Sequence, residues 1–210
     1  MIFNILLAIH IVFGLIAIVA SLIALSSKKG ASLHRRVGKL FMIAMLGIFI
    51  TALPMSLMTN NWFLLCVALF SFYISLSGWR YAIRRYLPAQ LWEKVISIIM
   101  ILVSITMLSA SIVSWQQGGY KPIVFAVFGL ICLRFSISDM LLYRKMKYPK
   151  FERLVRHVGG MIGGTIAVFT AVLVTNFTYQ PAWVLWIAPT VILLPLIIYW
   201  TIRIRAGKLT

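Results

Sequence analysis

Seven long runs of apolar residues follow one another along the chain, and short polar segments separate them. A helix needs roughly 20 apolar residues to cross the hydrocarbon core of a bilayer, which is about 30 Å thick. Each of the seven runs reaches that length. The pattern predicts transmembrane helices over residues 2–25, 40–59, 62–82, 95–115, 122–143, 157–176 and 182–203.

Basic residues mark every second connection between these runs. Eighteen of the 20 Lys and Arg residues fall in four clusters: Lys28, Lys29, Arg35, Arg36 and Lys39; Arg80, Arg84, Arg85 and Lys94; Arg144, Lys145, Lys147, Lys150, Arg153 and Arg156; and Arg203, Arg205 and Lys208. The alternate connections carry Lys121 alone. Because short loops rich in Lys and Arg stay in the cytoplasm, the sequence predicts an inner or plasma membrane protein with its N-terminus outside and its C-terminus in the cytoplasm.

The composition agrees with this class and excludes an ordinary soluble domain. The chain is 62% hydrophobic and 11% charged, whereas soluble domains are about half apolar and a quarter charged. We therefore expect one integral membrane domain over residues 1–210, an all-α bundle of seven helices. No basic segment precedes the first run, so we expect that run to stay as the first helix.

The net charge of +17 could indicate a nucleic-acid partner, but no basic stripe extends beyond a short loop. The expected partner is instead a bilayer with anionic lipids at its cytoplasmic face. A homo-oligomer is compatible with the sequence.

Arg134 is the least expected residue, because it lies near the middle of the fifth run. It is nine residues from Tyr143, which places it well over about 10 Å from the helix end. A charge at such depth usually faces the interior of a bundle or a cavity. One interpretation is a buried anion or substrate site. The other is an arginine that bonds to neighbouring helices or reaches toward an interface.

Three further titratable residues lie near the cytoplasmic boundary: Asp139, His34 and His157. With Arg156 and Glu152 they could form one polar cluster. A carboxylate and two imidazoles are suitable metal ligands and proton carriers. They come from distant stretches without a metal-binding spacing, so an ion-paired cap over the helix ends is the favoured alternative.

His10 lies about 12 Å deep in the first run, on the outer side. It could ligate a cofactor, relay protons or bond to a neighbouring helix. Because His34 and His157 lie at the inner edge, the three histidines cannot share one haem. No cofactor is favoured; haem or a divalent metal is the alternative.

The sixth run begins with closely spaced glycines, Gly159, Gly160, Gly163 and Gly164. Small residues four positions apart allow close helix approach, so these residues predict packing rather than chemistry.

A short internal similarity suggests a repeat. Residues 33–38 and 154–159 share the pattern Leu-x-Arg-x-Val-Gly, and each begins an outward-going helix. If the similarity is real, helices 1 to 3 and 5 to 7 form parallel repeats joined by helix 4, as in some carriers. Convergence of two basic loops explains it equally well.

Several stretches resemble one family of prokaryotic membrane proteins, the domain of unknown function 2306. They are His10 with Gly14; Lys29-Gly30, His34-Arg35 and Gly38; residues 156–161; Thr170-Ala171; Asn176; residues 186–190; and Tyr199-Trp200. The resemblance implies a bundle of about seven helices and no established activity.

Three functions remain open from the sequence. The first is a small-solute carrier with an interior polar site at Arg134, with His10 and Asp139 in proton coupling. The second is a redox or metal-binding membrane protein that uses His34, Asp139 and His157. The third is a membrane scaffold or assembly factor without a ligand, and an enzyme is the less favoured interpretation.

Overall fold

A computed structural model describes residues 1–84, 89–145, 149 and 151–208, which form an all-helical bundle. Its seven long helices are α1 (Ile2–Ser26), α2 (Ser32–Met58), α3 (Trp62–Ile83), α4 (Leu91–Ser114), α5 (Lys121–Tyr143), α6 (Glu152–Asn176) and α7 (Trp183–Arg205). A short 3-10 helix, Trp115–Gln117, follows α4. All seven are long and apolar enough to cross a membrane, which confirms the predicted multi-pass class.

Three helices begin earlier than the apolar runs predict. α2 begins at Ser32, α4 at Leu91 and α6 at Glu152. Each extension mixes charged residues with apolar ones, so a search for uninterrupted apolar runs leaves it out. At α4 the side chain of Glu93 accepts from the backbone N–H of Gln90 and closes a capping box.

We call the end of the bundle that carries the α1–α2, α3–α4 and α5–α6 connections the basic end, because the Lys and Arg clusters lie there. Arg85, Lys147 and Lys150 of those clusters lie outside the described residues. The other end carries the α2–α3, α4–α5 and α6–α7 connections.

The central pair of helices is α3 and α6. The antiparallel pair α1 and α2 packs on one side, the pair α4 and α5 on the other, and α7 lies along α6. An aromatic core that includes Phe70, Phe128 and Trp186 joins α3, α5 and α7. A core of smaller residues, such as Ala17 and Ala44, joins α1, α2 and α6.

The helix packing does not follow the 3+1+3 repeat that the sequence suggested. α1 and α2 share one of the most extensive interfaces, whereas α5 and α6, which would be the equivalent pair, have no comparable one. The two Leu-x-Arg-x-Val-Gly segments accordingly have different surroundings, since α2 begins against α1 and α6 begins against α3.

Candidate functional site

A network of buried ions lies at the basic end and centres on Asp139 of α5, which is fully buried. Its carboxylate accepts five hydrogen bonds, from the hydroxyls of Tyr73, Ser77 and Tyr81 at 3.1, 2.9 and 2.7 Å and from the guanidiniums of Arg80 and Arg156 at 3.1 and 2.8 Å. Donors from α3 and α6 thus surround one carboxylate of α5. A buried carboxylate is stable when its charge is paired and its lone pairs are bonded, and both conditions are met.

Arg80 extends the network from α3 to α4. Its guanidinium lies 3.5 Å from the carboxylate of Glu93 and donates to the hydroxyl of Tyr143. The same guanidinium stacks over the rings of Tyr81 and Tyr143, at 4.4 and 5.0 Å from their centroids. Cation–π contacts of this kind offset part of the cost of burying the charge.

The network includes every carboxylate side chain of the sequence, which has three Asp and Glu residues. Arg84 pairs with Glu93, and Arg156 pairs with Glu152 at 2.8 Å. Three arginines and three carboxylates therefore alternate along one chain of ion pairs, Arg84–Glu93–Arg80–Asp139–Arg156–Glu152, whose formal charge is zero. This arrangement joins α3, α4, α5 and α6 and leaves Asp139 no lone pair for a metal ion.

A separate cavity of about 370 Å³ lies at the basic end between α1, α2, α3, α6 and α7. Most of its wall is apolar and includes Leu25, Phe41, Trp79, Ile162 and Ile204. It reaches the exposed residues Gly30 and Arg35 near the α1–α2 connection. The volume and the apolar wall are those of a pocket for a small organic molecule.

Two imidazoles lie in the wall of this cavity. His34 and His157 meet edge to face with ring centroids 6.3 Å apart. Nδ1 of His157 lies 3.0 Å from the carbonyl of Gly78, and Nδ1 of His34 lies 3.2 Å from the carbonyl of Ala24. A carbonyl only accepts, so each Nδ1 carries the proton and Nε2 is left for another partner.

Three cations also line the cavity: Lys29, Arg35 and Arg153. Lys29 donates to the carbonyls of Ala24, Leu25 and Ser27 at 3.1, 2.5 and 3.2 Å, at the end of α1. Arg153 donates to the carbonyls of Tyr81 and Ala82 at the end of α3. No carboxylate lies among the described lining residues, so the cavity has a positive potential.

Lys29 lies in the α1–α2 connection, outside the membrane-spanning segments. Burial lowers the pKa of its ammonium group, since removal from water disfavours the charged form. An anion in the cavity would act in the opposite direction.

The structure divides the polar cluster that the sequence placed at this boundary. Asp139, Arg156 and Glu152 belong to the ion network, whereas His34 and His157 line the cavity. Within the described residues, no group of three His, Cys, Asp or Glu side chains could hold a metal ion. The proposed set of His34, Asp139 and His157 is therefore not assembled, because two arginines and three hydroxyls occupy Asp139.

Arg134 does not lie in an interior site. Its side chain is exposed on the outer face of α5, where it lines an open groove. His10 also lies outside the ion network around Asp139. It pairs with the hydroxyl of Thr51 at 2.9 Å between α1 and α2. The expectation of one interior site around Arg134 with His10 and Asp139 is corrected accordingly.

The glycines at the start of α6 lie at the α3 interface, with one exception. A Cβ on Gly160 would lie 2.5 Å from Cα of Gly78, and one on Gly164 would lie 2.1 Å from Oγ of Ser75. A Cβ on Gly163 would lie 2.7 Å from the side chain of Ile74. Gly159 instead faces α5, where a Cβ would make an ordinary 3.7 Å contact with Phe135.

Sequence reasoning missed Arg80, the hydroxyls around Asp139 and the role of Lys29. Arg80 counted as one member of a basic cluster, yet only 5% of it is exposed. A usable signal was present: Tyr73, Ser77, Arg80 and Tyr81 follow at helical spacing and place four polar groups on adjoining faces of one helix.

Comparison with known protein families, with curated proteins and with solved structures finds no match.

Proposed function

We propose that this multi-pass membrane protein is a small-solute carrier whose ligand is an amphipathic organic anion, bound in the basic-end cavity. The observation that carries the proposal is the combination of an apolar wall with two imidazoles and three cations, without a carboxylate among the described lining residues. The site at Arg134 that the sequence suggested is replaced by this cavity.

The charge of the ligand follows from the wall. In a medium of low dielectric constant, an anion near Lys29 and Arg153 is attracted strongly, whereas a cation is repelled. The Nε2 atoms of His34 and His157 can donate to an anionic oxygen when the imidazoles are protonated. The hydrogen bonds from Lys29 and Arg153 to helix carbonyls do not neutralise their charges, so both side chains still attract an anion.

The remainder of the ligand is apolar. Leu25, Phe41 and Ile162 offer no hydrogen bond to a polar tail, and burying apolar surface against them is favourable by about 25 cal/mol per Å². A short alkyl or aryl chain with one acidic head satisfies both parts of the wall.

The one-sided position of the cavity supports a carrier. Its deeper wall includes the buried Thr165, and next to it Gly164 packs against Ser75 and Phe41 at the contact between α3 and α6. Its exposed lining residues include Gly30 and Arg35 at the basic end, and a cavity that opens at one end is expected for one state of an alternating-access cycle. If short basic loops face the cytoplasm here, this is the inward-open state.

Binding is tested with three probes of equal chain length: octanesulfonate, 1-octanol and octyltrimethylammonium. The purified protein in nanodiscs should bind octanesulfonate in preference to the other two, with empty nanodiscs as the blank. A His157→Ala variant should bind octanesulfonate about tenfold more weakly, which corresponds to the loss of one hydrogen bond to a charged group. His10→Ala is the matched control, since His10 lies outside the cavity.

Equal binding of octanol and octanesulfonate would show that the cavity binds through its apolar wall alone, and it would overturn the proposal. Transport is tested separately in proteoliposomes, because a sulfonate stays charged and does not leak through lipid as a protonated acid does. We expect the wild-type protein to take up octanesulfonate, the His157→Ala variant to lose this uptake and the His10→Ala variant to keep it. Binding without uptake would indicate a receptor and contradict a carrier.

The scaffold alternative and the resemblance to the domain of unknown function 2306 stay predictions. A redox role also stays a prediction, but the ligand set of His34, Asp139 and His157 that suggested it is not assembled among the described residues.

A further inference from the structure

An open groove of about 660 Å³ runs along the outer face of α5 beside the start of α6. We call it the α5 groove, and its lining includes Leu130, Leu133, Arg134, Ile137, Ser138, Leu141, Lys145, Glu152 and Arg156. The groove lies on the opposite side of the ion network from the cavity described above, and it shares none of that cavity's lining residues. It exists because α5 and α6 diverge instead of packing along their length.

The charges in this groove are ordered by depth. Arg134 and Ser138 are four residues apart, so they lie within about 40° of one face of α5. Arg134 is the deepest, about 14 Å along the helix from Tyr143, and Lys145 lies just beyond the end of the helix. Leu130 and Leu133 continue the same region deeper into the bilayer.

Arg134 forms no ion pair with any of the three Asp and Glu side chains. All three Asp and Glu side chains of the sequence are ion-paired with Arg80, Arg84 and Arg156, and within the described residues none lies within salt-bridge distance of Arg134. A second copy of the chain would bring the same three engaged carboxylates and another Arg134. The anion that balances this charge must therefore come from outside the protein.

Arg156 and Glu152 add little to the net charge of the α5 groove. Their side chains pair at 2.8 Å, and the remaining donors of Arg156 bond to Asp139 and Ser138. Among the described lining residues, the groove thus keeps an excess of two positive charges, on Arg134 and Lys145.

We propose that the α5 groove is a binding site for an anionic phospholipid. The phosphate lies between the side chains of Arg134 and Lys145, since a long arginine side chain can extend from its depth toward the headgroup region. The acyl chains lie along Leu130, Leu133 and Ile137, which are exposed or partly exposed on the same face. A net negative headgroup is selected over a zwitterionic one because the groove has two uncompensated cations and no unpaired carboxylate among its described residues.

The test uses native mass spectrometry of the detergent-solubilised protein, titrated with phosphatidylglycerol, phosphatidylcholine or inorganic phosphate. The wild-type chain should bind phosphatidylglycerol more tightly than either of the others. Arg134→Gln and Lys145→Gln should each weaken phosphatidylglycerol binding roughly fivefold, the effect of one basic residue near an anionic lipid surface. Arg144→Gln is the matched control, because Arg144 is exposed beside Lys145 but does not line the groove.

Unchanged phosphatidylglycerol binding in Arg134→Gln and Lys145→Gln would overturn the proposal. Inorganic phosphate that binds as tightly as phosphatidylglycerol would identify a free anion site and also overturn it. Arg134→Lys should retain most of the binding, which separates loss of charge from misfolding. His157→Ala should leave phosphatidylglycerol binding intact, so this site and the carrier cavity can fail independently.

Discussion

The backbones of Gly78 and Gly160 touch where α3 crosses α6. A Cβ added to Gly160 would lie 2.5 Å from Cα of Gly78, and a Cβ added to Gly78 would lie 2.6 Å from the backbone nitrogen of Met161. Such distances are shorter than any contact that a real Cβ makes, and the obstructing atoms are backbone, which cannot rotate away. The central helix pair of the bundle therefore depends on two residues without side chains.

A Gly160→Ala variant should lose stability, because the added methyl group forces α3 and α6 apart. We expect a cost of about 1–3 kcal/mol, the usual range for overpacking a tight interface. The midpoint of thermal unfolding in detergent measures it. Gly159→Ala is the matched control on the neighbouring residue, since its Cβ would meet only Phe135 at an ordinary 3.7 Å. Equal midpoints for the two variants would show that the helix contact is looser than described.

Neutralising Asp139 should damage the bundle more than neutralising any other acidic residue. Asp139→Asn leaves the buried Arg80 and the partly buried Arg156 with one charge uncompensated, and removal of one member of a buried ion pair costs about 3–5 kcal/mol. Glu152→Gln is the comparison, because the side chain of Glu152 is 27% exposed and its pair within α6 contributes about 0–1 kcal/mol.

A second measurement tests whether the cost of Asp139→Asn comes from the uncompensated charge in the network. In Asp139→Asn with Arg156→Gln the formal charge returns to zero, so the double variant should unfold at a higher temperature than Asp139→Asn alone. Additive losses in this double-mutant cycle would contradict a coupled network.

The apolar runs predicted all seven helices, but they could not predict which face of each helix lies inside. In a soluble protein a polar face marks the outside, whereas in a membrane both the lipid-facing and the buried surfaces are apolar. Ile192 on α7 is 71% exposed and Ile162 on α6 is 4% exposed, although the two residue types are identical. For this reason the sequence predicted that Arg134 lies inside the fifth helix, but it could not predict which way the side chain faces.

The same limit applies to Arg80 and to the histidine pair. Arg80 belongs by sequence to a basic cluster at the end of α3, and only the packing of α3 against α4 and α5 brings its guanidinium to Glu93 and Asp139. His34 and His157 are 123 residues apart, and they meet because α1, α2 and α6 pack together. Neither relationship leaves a local spacing in the sequence.

Lys29 should lose its proton at lower pH than a lysine in an unfolded chain. Burial lowers its pKa from 10.5, so below 10.5 the folded protein binds fewer protons at this site than the unfolded chain does. The contribution of Lys29 to stability therefore rises with pH across the window between the lowered pKa and 10.5. The pH dependence of labelling by an amine-directed reagent, read by mass spectrometry of the peptide, should have its midpoint below 10.5.

Octanesulfonate should move that midpoint upward, since an anion in the cavity favours the ammonium form. Octanol is the control, because it fills the same apolar space without a charge. A midpoint that responds equally to both compounds would contradict the binding of an anion near Lys29.

Arg134→Leu should leave octanesulfonate binding unchanged, since Arg134 lines the α5 groove and the cavity wall does not include it. The variant should also be as stable as the wild type or more stable in neutral detergent, because it replaces an exposed cation within the apolar belt by an apolar side chain, and a central Arg costs about 2.5–3.5 kcal/mol on insertion scales. His157→Ala should show the reverse pattern, with weaker octanesulfonate binding and unchanged phosphatidylglycerol binding. Octanesulfonate titrations of both variants in nanodiscs measure the difference. A loss of octanesulfonate binding in Arg134→Leu would return Arg134 to the ligand pathway and refute the separation of the two sites, whereas independent losses would establish one site for the solute and another for the lipid.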